Sequence, residues 1–116
     1  MNETNDWIYP HLNKATDEMV QLVDRAPRPD RLTVRALNQA SRELLLAHAS
    51  DWAFMMKAGN YRSYAEKRIK THLVRFHQLA RQIRHQQIDL RLLGDLEEKD
   101  NLFPEMDFRV FKKSQD

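Results

Sequence analysis

Apolar residues recur at steps of three and four positions along three long stretches and one short stretch of the chain, and this spacing predicts four α-helices. Pro27 and Pro29 end the first stretch, because neither residue can donate to a helical hydrogen-bond ladder. The second stretch starts at Asp30, whose carboxylate can cap a helix N-terminus, and it runs to about Lys57. Gly59 then separates it from the third stretch.

The apolar faces of these helices define the predicted core. In chain order its members are Leu12, Ala15, Met19, Leu22, Val23, Val34, Leu37, Ser41, Leu44, Leu45, His48, Trp52, Met55, Tyr61, Ala65, Ile69, Leu73, Phe76, Leu79, Ala80, Ile83, Ile88, Leu92, Leu93 and Leu96. Residues 44–47 are apolar on every side, so the second helix should be the central one. Gly94 is a potential break in the short fourth helix.

The remaining residues, 100–113, predict an extended C-terminal tail. Its apolar side chains have to be buried on this domain or on a neighbour; they are Leu102, Phe103, Met106, Phe108, Val110 and Phe111. The fold class is therefore all-α: a small helical bundle of three long helices plus a short fourth helix and an extended C-terminal tail. A chain of 116 residues fits a single helical domain, residues 1–116.

Composition narrows the class of protein. Only two glycines are present, which is few for a β-rich or α/β fold with tight turns and phosphate loops. The absence of cysteine excludes a disulfide framework and a thiolate metal site. No apolar run approaches the roughly 20 residues of a membrane span, and the polar, acidic N-terminus does not resemble a signal peptide. We therefore expect a cytoplasmic helical domain without a membrane partner.

Charge is unevenly distributed although the net charge is only +2. Residues 61–87 are strongly basic, and residues 89–107 are mostly acidic. The two segments could fold back and neutralise each other, or the basic third helix could present an open face to an acidic partner or RNA. We favour neutralisation, because nucleic-acid-binding proteins usually keep their basic face open.

The chain shows none of the familiar catalytic or metal motifs. Its five histidines form no H-E-x-x-H pair, and His72 and His77 are five residues apart, which places them on different sides of a helix. There is no G-x-S-x-G elbow and no glycine-rich phosphate loop. We therefore predict no catalytic residue, no metal site and no cofactor, and we expect this chain to be inactive by itself.

One short block is chemically suited to a sugar. Ser50, Asp51 and Trp52 follow one another near the end of the most apolar helix. Tryptophan offers a flat apolar surface on which the C–H face of a sugar can stack, and a carboxylate can accept from the sugar hydroxyls. From the spacing alone we favour the other interpretation, a core tryptophan beside a surface charge, because aromatic residues at helical spacing are usually core.

Four longer segments follow one another along the chain: DWIYPHLNKA (6–15), RALNQASRELLLAHASDWAFMM (35–56), YAEKRIKTHLVRF (64–76) and DNLFPEMDFRVF (100–111). Together they resemble the C-terminal helical region of family-57 glycoside hydrolases, especially the 1,4-α-glucan branching enzymes and related α-amylase-like proteins.

In that family a distorted barrel precedes this region and carries the glutamate nucleophile and the aspartate acid/base of a retaining mechanism, which forms α-1,6 branches by transglycosylation. Neither catalytic motif occurs in these 116 residues. The resemblance thus implies an accessory domain that packs on the barrel and closes one wall of the α-glucan cleft, in an enzyme of glycogen biosynthesis. It implies Trp52, Asp51 and Tyr61 as substrate-binding residues, and no nucleic-acid partner. The independent interaction module is the alternative.

Overall fold

The computed structural model describes residues 8–56, 60–101 and 108–111, except for the side chains of 51–56, 60–63 and 110. Four α-helices and a 3-10 turn occur in these ranges: α1 (Ile8–Asp24), α2 (Arg31–Met56), α3 (Asn60–His85), α4 (Leu90–Lys99) and the turn Phe108–Phe111. The described residues contain no strand, so the predicted all-α class is confirmed. None of the described helices is long and apolar enough to cross a membrane.

Local sequence signals fix the helix ends. Asp30 caps α2 as predicted, since its Oδ1 accepts from the Thr33 N–H at 2.7 Å. Asp89 caps α4 in the same way, accepting from the N–H groups of Arg91 and Leu92. Helix α3 ends at His85, and the next residue, Gln86, has a left-handed φ of 55°.

Helix α2 lies at the centre of the bundle, as the apolar residues 44–47 predict. It packs along α3 and also contacts α1, α4 and the 3-10 turn. Most of the predicted core is buried, including Leu12, Met19, Leu37, Leu44, Ile69, Phe76 and Leu79. Val34, Leu45, His48, Ile88 and Leu92 are only partly buried. Trp52, Met55 and Tyr61 belong to the same prediction, and their side chains lie outside the described part of the chain.

Two local expectations require correction. Gly94 does not interrupt α4, because burial of Leu93 and Leu96 on either side of it holds the helix together. Within the tail, Phe108–Phe111 forms a 3-10 turn where the sequence predicts extended chain. Phe108 is buried there, and its N–H donates to Oδ1 of Asn38 at 2.9 Å. Leu102, Phe103 and Met106 lie outside the described residues.

Candidate functional site

The predicted substrate-binding residues lie together at one end of the α2–α3 hairpin. Asp51 and Trp52 belong to the last turns of α2, and Tyr61 belongs to the first turn of α3. Their side chains lie outside the described part of the structure, so a glucan contact by these three residues stays a prediction.

The register of the hairpin follows from a contact in its middle, where Glu43 of α2 meets His72 of α3. Trp52 comes nine residues after Glu43, and Tyr64 comes eight residues before His72. At about 1.5 Å of rise per residue, both positions lie about 12–14 Å from the Glu43–His72 contact, in the same direction. The structure thus adds Tyr64 to the end of the hairpin that carries the predicted residues.

The Glu43–His72 contact belongs to a buried polar network that the sequence analysis missed. The Glu43 side chain is fully buried and the His72 side chain is 2% exposed. His72 Nδ1 lies 2.8 Å from Glu43 Oε1, and the amide of Gln39 donates to Glu43 Oε2 at 3.0 Å. Two carboxylate oxygens with separate donors allow Glu43 to be buried without an unsatisfied acceptor.

Arg68 determines which nitrogen of the His72 ring donates to Glu43. Its Nη2 lies 3.2 Å from His72 Nε2, and a guanidinium can only donate. His72 Nε2 is therefore the acceptor, and the ring proton is on Nδ1, from which it is donated to Glu43. In this arrangement His72 connects Arg68 to a buried carboxylate.

Asp100 brings the end of α4 into the same network. Arg75 Nη1 donates to Asp100 Oδ2 at 2.6 Å, and His72 Nδ1 lies 3.8 Å from the same oxygen. Gln39 Nε2 also contacts the backbone carbonyls of Leu96 and Asp100, at 3.1 and 2.9 Å. The Leu96 carbonyl also accepts from the N–H of Asp100, the residue that caps α4, at 2.8 Å. Gln39 therefore fastens the C-terminus of α4 to α2.

The two carboxyls of the network differ in proton affinity. The pKa of Glu43 is raised to about 6, because burial, together with the neighbouring Asp100 carboxylate, outweighs the lowering effects of the hydrogen bonds with His72 and Gln39. Burial also acts to raise the pKa of Asp100, but the hydrogen bond with Glu43 and the charge of Arg75 outweigh it and leave that pKa below its usual value. On acidification, the shared proton therefore goes to Glu43.

Glu43, His72 and Asp100 also supply the donor types that a zinc ion accepts. One ligand atom from each lies within 4.8 Å of the others. The hydrogen bonds described above already engage these atoms, and a cation would have to displace the His72 Nδ1 proton and approach Arg75. The prediction that this chain has no metal site therefore stays a prediction, with this cluster as the place to test it.

Charges on α3 are partly neutralised by its neighbours. Arg75 pairs with Asp100, which joins the basic and acidic segments as the sequence predicts. Arg84 and His77 instead both contact Glu18 of α1. His77 is 47% exposed in its side chain whereas His72 is buried, so the predicted divergence of these two histidines is confirmed. The outer surface of α3 also has a groove of about 360 Å³ lined by Val74, His77, Gln78, Arg81 and Arg84.

Most of the chain matches one protein family. The family model described as "1,4-alpha-glucan branching enzyme, C-terminal" covers residues 11–111. The chain belongs to this family. A curated relative of this C-terminal domain, a 1,4-alpha-glucan branching enzyme of Thermococcus kodakarensis, is 42% identical over 106 residues, which are 88% of this chain and 16% of the relative.

Solved structures of larger enzymes contain the same domain. The alpha-amylase AmyC from Thermotoga maritima is 42% identical, with a TM-score of 0.85 over 97% of this chain. A GH57 branching enzyme from Thermococcus kodakaraensis, in complex with glucose and additives, gives a TM-score of 0.86 at 38% identity over 98% of this chain. A GH57-type branching enzyme from Pyrococcus horikoshii gives a TM-score of 0.83 at 35% identity over 99% of this chain. The chain spans 22% of each of these proteins.

The comparisons confirm the resemblance that the four sequence segments indicate. They place this chain with the C-terminal domains of GH57 branching enzymes, and they give no support to the independent module that binds an acidic partner or RNA. The pairing of Arg84 and His77 with Glu18 agrees with that outcome, since it removes part of the open basic face such a module needs.

Proposed function

We propose that this C-terminal domain packs on the catalytic part of a GH57-type branching enzyme and forms one wall of its α-glucan cleft. The observation that carries the proposal is that 98% of this chain superposes on only 22% of a branching enzyme solved with glucose. A domain retained at 38% identity within a longer enzyme is expected to serve that enzyme. In the same proposal the complete enzyme is cytoplasmic and belongs to glycogen biosynthesis, where its transglycosylation reaction forms α-1,6 branches.

In this proposal the chain contributes binding and not the chemical step. Glu43 and Asp100 are close enough to suggest a retaining pair, whose carboxyls stand about 5 Å apart. However, Glu43 is fully buried and hydrogen-bonded to His72 and Gln39, so no glycosidic oxygen can approach it. In this proposal the catalytic carboxylates are supplied by the catalytic part of the enzyme.

The proposed wall is the end of the hairpin that carries Asp51, Trp52 and Tyr61. Indole and phenol rings stack on the C–H faces of glucose units, and a carboxylate accepts from their hydroxyls. The buried network lies about 12–14 Å from this wall along the hairpin. It supports the wall because it fixes α2 against α3 and α4. A rigid support keeps the binding residues positioned relative to the cleft.

Reconstitution tests this function. The Thermococcus kodakarensis branching enzyme would be produced without its own C-terminal part and mixed with this chain, which is 42% identical to that relative. Sedimentation velocity would measure association, and the count of new α-1,6 linkages in amylose would measure branching. Trp52→Ala would be compared with Val74→Ala, a truncation of an exposed residue on the outer surface of α3.

We expect association and a gain in branching that Trp52→Ala lowers about tenfold, which is the loss of about 1.4 kcal/mol of binding. Val74→Ala should leave the gain unchanged. Association without any gain in branching would reduce the role of the domain to scaffolding. A folded chain that does not associate at all would overturn the proposal.

A further inference from the structure

An exposed aromatic residue lies beside the predicted glucan-binding residues. Tyr64 is 57% exposed, although it is one of the largest apolar side chains described on α3. Positions 61, 64 and 68 share one face of that helix, because they are three and four residues apart. The register of the hairpin places Tyr64 level with Asp51 of α2. Tyr64 therefore presents an aromatic ring at the end of the hairpin that carries the predicted glucan-binding residues.

Arg68 holds the Tyr64 ring. Its guanidinium carbon lies 5.9 Å from the centroid of that ring, within the range of a cation–π interaction. The same guanidinium donates to Nε2 of His72, which in turn donates to Glu43. The ring of a surface residue is thus connected, through Arg68 and His72, to the fully buried carboxyl of Glu43.

This connection makes the Tyr64–Arg68 pair a pre-organised surface. A side chain whose rotamer is already restricted loses less conformational entropy when a ligand binds. Arg68 is half-buried, and its guanidinium carries five N–H donors. The bond to His72 uses one of them. A flat ring beside oriented donors suits a neutral ligand with a C–H face and many hydroxyls.

We propose that Tyr64 and Arg68 form a second α-glucan contact next to the predicted wall. The Tyr64 ring stacks on one glucose unit, and Arg68 donates to hydroxyls of the same chain or of the adjoining unit. This inference rests on the proposed function, since the glucan that it binds is the substrate assigned there. His72 is a positioning residue in this contact, because it acts only through Arg68.

Titration of this chain with maltoheptaose tests the inference. Amide shifts in ¹H–¹⁵N spectra would give the Kd for the wild-type chain and for Trp52→Ala, Tyr64→Ala, Tyr64→Phe and Arg68→Gln. Val74→Ala is the matched control, because Val74 is also 57% exposed and lies on the same helix. Circular dichroism melts of each variant would establish that the helices are intact.

We expect Tyr64→Ala to raise the Kd about fivefold and Tyr64→Phe to leave it within about twofold, because stacking needs the ring and not the hydroxyl. Arg68→Gln should raise the Kd by about threefold, through the loss of both the donors and the restraint on the ring. Val74→Ala should have no effect.

Three results would overturn this contact. A Kd unchanged by Tyr64→Ala, with binding lost in Trp52→Ala, would leave the proposed wall standing and remove Tyr64 from it. Equal losses in Tyr64→Phe and Tyr64→Ala would exclude stacking. No binding of maltoheptaose to the wild-type chain would reject the contact, whereas the reconstituted branching assay would still decide the proposed function separately.

Discussion

His72 donates a hydrogen bond from Nδ1 to Oε1 of Glu43 across the α2–α3 contact, and the donation can run only in this direction because Arg68 donates to the other ring nitrogen. The imidazole therefore faces a buried carboxyl whose pKa is raised. Glu43 also shares a hydrogen bond with Asp100, whose pKa is lowered.

The stability of the domain should depend on the protonation of Glu43. Burial raises its pKa from 4.5 to about 6, so the folded state binds this proton more tightly than the unfolded state. Stability then falls as the pH rises through the window from 4.5 to about 6. The lowered pKa of Asp100 acts in the opposite sense, and its contribution is lost only as the pH falls below the unfolded value of 3.8.

Glu43→Gln should remove the fall in stability between pH 4.5 and about 6, because the neutral amide imitates the protonated acid. The unfolding free energy of the wild type should decrease by about 1 kcal/mol between pH 5 and pH 7 relative to that of the variant. Urea titrations at both pH values would measure this difference. Glu98→Gln, at an exposed carboxylate of α4, should keep the wild-type dependence. Parallel pH profiles of Glu43→Gln and wild type would refute the assignment.

Gln39→Met should destabilise the domain strongly while preserving side-chain volume. The Nε2 group of Gln39 has two hydrogens and three acceptors within 3.1 Å, which are Glu43 and two carbonyls at the end of α4. Its oxygen accepts from Arg42 at 2.8 Å. Methionine can replace none of these contacts, and each buried group left unsatisfied costs about 1–3 kcal/mol. We expect a loss of about 2–4 kcal/mol in thermal or urea unfolding. Gln78→Met, at an exposed position of α3, is the control and should change the free energy of unfolding by less than about 0.5 kcal/mol.

The helices and the core could be predicted because apolar periodicity reports which residues share a face. Asp30 as a cap and α2 as the central helix follow from that pattern and from local chemistry. Helix α4 continues through Gly94 because burial of Leu93 and Leu96 outweighs the conformational cost of about 1 kcal/mol for an internal glycine. Such a tertiary contribution does not appear in a local sequence pattern.

The buried network could not be predicted, because its members lie on three helices and are 29 and 28 residues apart. One signal was present: His72 falls between Ile69 and Phe76 at the spacing of the core positions. A titratable residue on an apolar face indicates a buried partner but does not identify it. The substrate-binding role of Asp51, Trp52 and Tyr61 was inferred from the family resemblance and stays a prediction.

Gln86→Gly should stabilise the C-terminus of α3. Gln86 has a φ of 55°, and its N–H donates to the Ile83 carbonyl while that of Gln87 donates to Gln82. This is the Schellman arrangement, in which glycine is preferred because it has no Cβ to clash. Relief of left-handed strain should exceed the added entropy of the unfolded chain by about 0.5–1 kcal/mol, or about 3–6 °C in Tm. Gln87→Gly, outside that conformation, should lower the Tm.

Zinc should not stabilise the domain through Glu43, His72 and Asp100, although their ligand atoms lie within 4.8 Å of one another. A bound ion would require His72 Nδ1 to lose its proton, Nε2 to gain one against the donor of Arg68, and the cation to approach Arg75. At 100 times its Kd, a ligand adds about 2.7 kcal/mol to stability, which is an easily measured rise in Tm. We expect no such rise in melts with zinc against melts with a chelator. A rise that His72→Gln abolishes and His77→Gln retains would show instead that the network opens to accept the metal.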